Sequence, residues 1–423
     1  MVVAVIESSL NPYHEEFSRP RLTQHPSSYV AGYPKAAKPL RLSLAAADYD
    51  KAAAADDQLW RKLPAGELMY VPGTNFAGLV YLPTASPLDG DQSVSVGTDG
   101  AEDTSRPVID GPQFHGTGVS SVLAGSRHGA CPKCLVVFVA ADDKEEGFAW
   151  AAAQPWIDVI SNSWGGPLGI PTRGDAARPE RALAPTAEVT RKAADQGKVV
   201  LFASGNGATG LGGIVPTPHQ HSETYASPYT GPPWILTVGA AKANGQPTNW
   251  HDIPVDVIAQ GEARPAAADG SVSQTGTFVG TSAATPIAAG VIGQALLDAR
   301  RAVGDTGTGP RGGSLIAPAR ARLPARGPLS DGRLGRGELV EAALSVAAWQ
   351  PFDVASLAAD PLVTPTTNFS YAYQGHGRLD REIIPLLTNV LLGRATQPAR
   401  PEMTDWTAQH QQRRTALWGP APT

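Results

Sequence analysis

Five consecutive apolar residues, Val2 to Ile6, stand at the head of the chain. A short run without polar alternation predicts a strand buried on both faces, as in a parallel sheet. From His115 onward, apolar runs alternate regularly with longer segments of helical character. A helix of small residues is predicted from about Gly116 to Ala124, then a strand at Leu135 to Ala141 and a helix near Glu145 to Ala153. Asp158 to Ser163 reads as a strand, Thr186 as the cap of a helix ending at Gly197, and Lys198 to Ala203 as the next strand. Strands at Trp234 to Gly239 and Pro254 to Ala259 lead into a long helix from Ser282 to about Arg301. This alternation predicts an α/β fold, a mostly parallel central sheet with helices on both faces.

Other stretches break the pattern. Residues 18 to about 105 read as an irregular insertion in a main domain spanning 1–300, with a helix near Lys51 to Lys62 and a short strand at Gly78 to Leu82. Residues 302–336 are dense in Gly, Pro and Arg and read as a loop. Helices at Glu338 to Ala348 and Arg381 to Leu392, the latter interrupted by Pro385, make 337–393 a C-terminal part of the main domain. The last segment, 394–423, is polar and Pro-rich and predicts a tail on the surface.

Composition narrows the class. With 423 residues, 42% of them hydrophobic, the chain buries a full core. A net charge of −5 and a pI near 6.0 give no general pull toward nucleic acid or anionic lipid. No run reaches the length of a membrane span. No basic stretch followed by an apolar one opens the chain, so a cytoplasmic protein is expected, the alternative being a secreted one read from a truncated chain. Cys131 and Cys134 are too few for a disulfide scaffold. With His128 they offer three ligands, one short of structural zinc, so they read as semi-exposed cysteines on a turn, reduced in a cytosol or disulfide-linked outside one. The acidic stretch from Asp89 to Asp103 could bind calcium but lacks EF-hand spacing, and a solvated loop is the default. No metal ligand is assigned and no cofactor is required.

Three segments carry chemistry: His115-Gly116-Thr117-Gly118 opening a helix, Ala203-Ser204-Gly205-Asn206-Gly207 ending an apolar strand, and Gly280-Thr281-Ser282-Ala283-Ala284-Thr285-Pro286 opening the long helix. A serine at a helix N-terminus sits among free N–H groups and the positive dipole end, where an oxyanion is stabilised. A histidine takes the hydroxyl proton, and an asparagine amide donates to the developing charge. Singly, these are an N-cap, a turn and an αL residue. Together, in this order, they point to a nucleophilic serine.

These residues resemble the subtilisin-like serine proteases, the subtilases. Gly280 to Pro286 is similar to the family's nucleophile motif, His115-Gly116-Thr117 to its histidine motif, and Asn206 to its oxyanion asparagine. Ser163-Trp164-Gly165 is similar to its substrate-cleft strand, and Val255 to Gly261 to a structural turn in which Gln260 replaces the usual Pro. Val3-Ala4-Val5-Ile6-Glu7-Ser8 is similar to the segment of the triad acid, with Glu7 where the family has Asp, and His14 fits that segment too. The resemblance implies a serine endopeptidase with a Ser282–His115–Glu7 triad acting on peptide or protein substrates. Ser163, Trp164, Gly165, Ala203, Ser204 and Gly205 would line its cleft. Sedolisins pair serine with Glu and Asp, but His115 and Asn206 stand where that family has other residues. Because Glu is one methylene longer than Asp, two outcomes besides a Glu7 triad are open: Asp110 as the acid, or an impaired, regulatory or binding protein. An esterase or acyl transferase using the same serine is a further alternative.

Overall fold

The structure, a computed structural model, describes residues 1–7, 10–18, 22–44, 49–56, 63–83, 115–141, 143–164, 184–206, 227–248, 251–263, 271–304, 336–349, 367–396 and 403–421. Nine strands form one sheet: β1 (Val2–Glu7), β2 (Lys38–Pro39), β3 (Met69–Tyr70), β4 (Phe76–Leu82), β5 (Leu135–Ala141), β6 (Val159–Asn162), β7 (Val199–Ala203), β8 (Ile235–Ala241) and β9 (Val257–Gln260). Their order is β2-β3-β4-β5-β1-β6-β7-β8-β9, and all neighbours are parallel except β3 and β4. A hairpin of β10 (Glu262–Ala263) and β11 (Phe278–Val279) stands apart.

The apolar run of β1 is buried on both faces, as its pattern predicts. Val3 and Val5 join a core with α2 (His115–Ala124), α5 (Thr281–Ala302) and α8 (Ile384–Leu391). Val2, Ala4 and Ile6 face a second core under α3 (Lys144–Ala153) and α4 (Ala184–Asp195). The remaining α-helices among the described residues are α1 (Tyr49–Ala55), α6 (Arg336–Val346), α7 (Thr367–Gln374) and α9 (Thr404–Trp418). Among the described residues no helix is long and apolar enough to cross a membrane. The path from β1 leads to β5 on one side, and the path from β5 returns across β1 to β6 on the other. At such a switch point the crossovers diverge and open a crevice at the carboxyl ends of β1 and β6.

Three sequence expectations are corrected. The stretch read as an insertion holds the strand expected at Gly78 to Leu82, as β4, but also β2 and β3, and Leu40, Leu63, Val71, Phe76 and Leu79 enter the core. Strands of two residues and a Pro-rich context hide that role from periodicity. The helix expected near Lys51 to Lys62 is α1, ending at Ala55. The polar tail contains α9, on which Arg414 is almost wholly buried at 1% exposure. Its guanidinium donates to the carbonyls of Gly231, Thr230, Pro232 and Ile235 and, at 2.8 Å, to Asp256 Oδ1.

The cysteines differ too. Cys131 and Cys134 are fully buried against α5 and joined as a disulfide, so neither is a semi-exposed thiol or a zinc ligand. His128 Nδ1 instead lies 3.1 Å from the buried Glu16. The acidic stretch from Asp89 to Asp103, Asp110, Gly165 and nearly all of the 302–336 loop lie outside the described residues.

Candidate active site

β1 delivers Glu7 to the crevice at its carboxyl end, where the side chain is 4% exposed. The chain that follows is tied to α2, because the Asn11 N–H donates to Thr117 Oγ1 at 2.6 Å. His115, first residue of α2, therefore stands over Glu7, and its Nδ1 lies 3.1 Å from Glu7 Oε2. A carboxylate accepts only, so Nδ1 carries the proton and Nε2 keeps the basic lone pair. Desolvation pulls the His115 pKa down and Lys144 adds to that pull, but the charge and hydrogen bond of Glu7 outweigh both, and the pKa is raised above its usual 6.5. The carboxylate of Glu7 thus meets His115 in spite of its extra methylene.

Ser282, the candidate nucleophile, comes from a different element. Gly280 precedes α5 with φ 116°, in the left-handed region that favours glycine. A Cβ there would also stand 3.1 Å from Asn206 Nδ2. Ser282 is the second residue of α5, in the first turn, where backbone N–H groups have no intrahelical acceptor. Its Oγ donates to the Ser163 carbonyl at 3.1 Å, and Ser163 Oγ donates to the Ser282 carbonyl at 2.9 Å. This reciprocal pair fixes the end of β6 to the start of α5. Asn206 Oδ1 accepts from both the N–H and the Oγ1 of Thr281, each at 3.0 Å. The oxygen so held, Nδ2 is the donor group of this amide.

The cleft residues divide. Ser163 lies against Ser282, as described. Trp164, half-buried, turns its indole toward Phe202 and Tyr229, at ring separations of 5.2 and 5.3 Å. Ala203 and Ser204 are buried, and the Ser204 N–H donates to the Val238 carbonyl. Gly205 and Asn206 are the half-exposed members of that strand end. Three contributors carried no signal in the sequence reading: Thr281, which orients Asn206; Lys144, which acts on His115; and Phe278, whose ring stands edge-on to His115. Thr281 is inside the nucleophile motif, but its double bond to Asn206 needs the fold to appear.

Residues 1–302 match the model of the subtilase family. A calcium-dependent protease of Trichormus variabilis is 28% identical over 220 residues, 44% of this chain, and the match spans only 33% of that relative's length. Two solved structures cover 92% of the chain at 16% identity and a TM-score of 0.43. They are a serine-to-alanine mutant of the protease domain of PatA, matched over 95% of its length, and the prenylagaramide maturation protease PagA, matched over 94%.

Proposed function

The chain belongs to the subtilase family of serine peptidases, and from that membership we propose that it cleaves peptide bonds through an acyl-enzyme on Ser282. The 3.1 Å contact between His115 Nδ1 and Glu7 Oε2 carries the reading. It prepares His115 Nε2 as a base of raised affinity for a proton. Ser282 Oγ leaves the Ser163 carbonyl, gives its proton to Nε2 and attacks the scissile carbonyl; catalytic hydrogen bonds tighten only in the complex. Asn206 Nδ2 and the Ser282 N–H hold the oxyanion. The imidazolium, stabilised by Glu7, returns the proton to the leaving amine, and water then releases the acyl group by the same steps. An extended peptide would pair with the backbone at Ser163–Trp164 and Gly205 as an added strand.

Labelling with a serine-reactive fluorophosphonate tests this. The wild type incorporates label, Ser282→Ala none and His115→Ala far less. Equal labelling of wild type and Ser282→Ala sinks the assignment. The turn of Ser282 Oγ toward Ser163 favours a second reading, a binding protein that no longer turns over, and that reading requires an unlabelled wild type. Peptide against ester substrates separates the protease from an esterase or acyl transferase.

Two lesser readings accompany it. The buried Cys131–Cys134 disulfide favours an oxidising compartment over the cytoplasm, and alkylation without reduction finds neither thiol if so. Among the described residues no group of three or more His, Cys, Asp or Glu could hold a metal ion, so no residue is assigned to calcium.

A further inference from the structure

Glu7 grips His115 at one nitrogen. A ring held at a single point still pivots about that bond, and a long Glu side chain restrains it less than a short one. The opposite support is aromatic. Phe278 stands edge-on to His115, with ring centroids 5.3 Å apart and planes at 75°. It gets there through a gap in α2. Gly118 lies three residues after His115, on the same face of the helix. A Cβ at Gly118 would stand 3.0 Å from two carbons of the Phe278 ring, so the ring would have to give by a few tenths of an ångström. Gly is a poor helix former, and here its missing methyl is the seat of the ring. Phe278 is itself fixed, through the pairing of β11 with β10 and the Gly280 N–H donated to the Gly261 carbonyl at 2.9 Å. Two residues later β11 runs into α5 and Ser282.

We propose that Phe278, seated on Gly118, is a positioning residue that fixes the His115 ring relative to Ser282. The proposal rests on the acyl-enzyme reading above. It joins base and nucleophile through one rigid ring, because β11 leads directly into the nucleophile's helix. An imidazole free to drift by about 1 Å loses on the order of 100-fold in rate.

The test follows phosphonylation of Ser282 and peptide turnover in Phe278→Ala, Phe278→Leu, Phe278→Tyr and Gly118→Ala, each checked for native thermal unfolding. The fluoride leaving group of the probe is small, so contacts of Phe278 with a departing peptide do not enter the labelling rate. Phe278→Ala is expected to label about 10- to 100-fold more slowly. Its peptide kcat falls in step, KM stays within about twofold, and Phe278→Tyr restores most of the rate. Gly118→Ala, on the buried face of α2, slows labelling in the same way by displacing the ring, and the loss is less than additive with Phe278→Ala. Phe278→Leu gives an intermediate rate and serves if the alanine variant does not fold. Wild-type labelling rates in Phe278→Leu and Gly118→Ala, or a loss confined to KM, overturn the proposal and leave the acyl-enzyme reading intact. A wild type that does not label at Ser282 takes both down.

Discussion

Of the buried carboxylates in contact with histidine, Glu7 and Asp256 do opposite things. At the crevice, Glu7 meets His115 Nδ1 at 3.1 Å; at the clamp of α9, Asp256 meets His410 Nε2 at 3.2 Å. The pKa of His115 is raised and that of His410 is lowered. Desolvation opposes the charged form in both, but His410 is 5% exposed and His115 40%. Desolvation is the largest influence on each, and at His410 the charges of Arg414 and Arg413 reinforce it. Arg414 bonds the same Asp256 oxygen that faces His410 and claims its charge. At the crevice the cation is Lys144, the weakest of the influences on His115. A carboxylate shared with arginine therefore makes a neutral, fixed joint, whereas a carboxylate spent on histidine makes a proton acceptor.

The contrast is broken most severely at Glu7. Glu7→Gln keeps the size but removes the charge, and kcat is expected to fall roughly 10⁴-fold, as when a triad acid becomes its amide; melting temperature should change little. Cutting the other pair should do the reverse. Arg414→Met leaves Asp256 charged and buried, so urea unfolding should show a loss of about 3–5 kcal/mol with kcat per folded molecule unchanged. A large kcat effect at Arg414, or a large stability effect at Glu7, would erase the distinction.

Smaller effects sharpen it through pH. The labelling rate should lose its acid limb with a midpoint above 6.5 in the wild type, and below 6.5 in Glu7→Gln, where desolvation and Lys144 act unopposed. Stability follows the signs of the shifts. His115, raised, contributes stability that is full below pH 6.5 and is lost as pH rises through its folded value. His410, lowered, acts the other way: stability present above pH 6.5 is lost as pH falls toward its folded value. Asp256, held well below the usual carboxylate range although desolvation pushes it up, adds a further loss as pH falls through its folded value. Denaturation between pH 7 and 5 should thus weaken the wild type by at most about 1.4 kcal/mol per pH unit from His410, and His410→Gln should flatten that slope.

The crevice was more legible than the clamp for a physical reason. Glu7, His115 and Ser282 sit on regular elements whose apolar runs announce them, and short local motifs mark each start. Every strand of the sheet from β5 to β9 follows the same signal. The clamp depends on a cation filling a nest of carbonyls, which hydrophobic periodicity does not register; α9 reads as polar because, beside Trp406, its buried anchors His410 and Arg414 are polar. β2 and β3, two residues each, are too short to show alternation. Phe278 is an ordinary aromatic until Gly118 is seen beneath it.

The place of β1 has a consequence for the order of assembly. This strand precedes the other eight of the sheet in the sequence yet lies in its middle, and its bond from the Val2 N–H to Asp158 Oδ2 spans 156 residues. Until β5 and β6 emerge from the ribosome, both its edges lack their native partners. Non-local pairing of this kind is slow, because chain closure must precede any reward from contact. Glu7 therefore reaches its final place only after half the sheet exists, and Ser282 is made later still. On the proposed reading, cleavage can begin only once the chain has been made past Ser282 and the sheet around β1 has closed, because Glu7, His115 and Ser282 come from three distant segments.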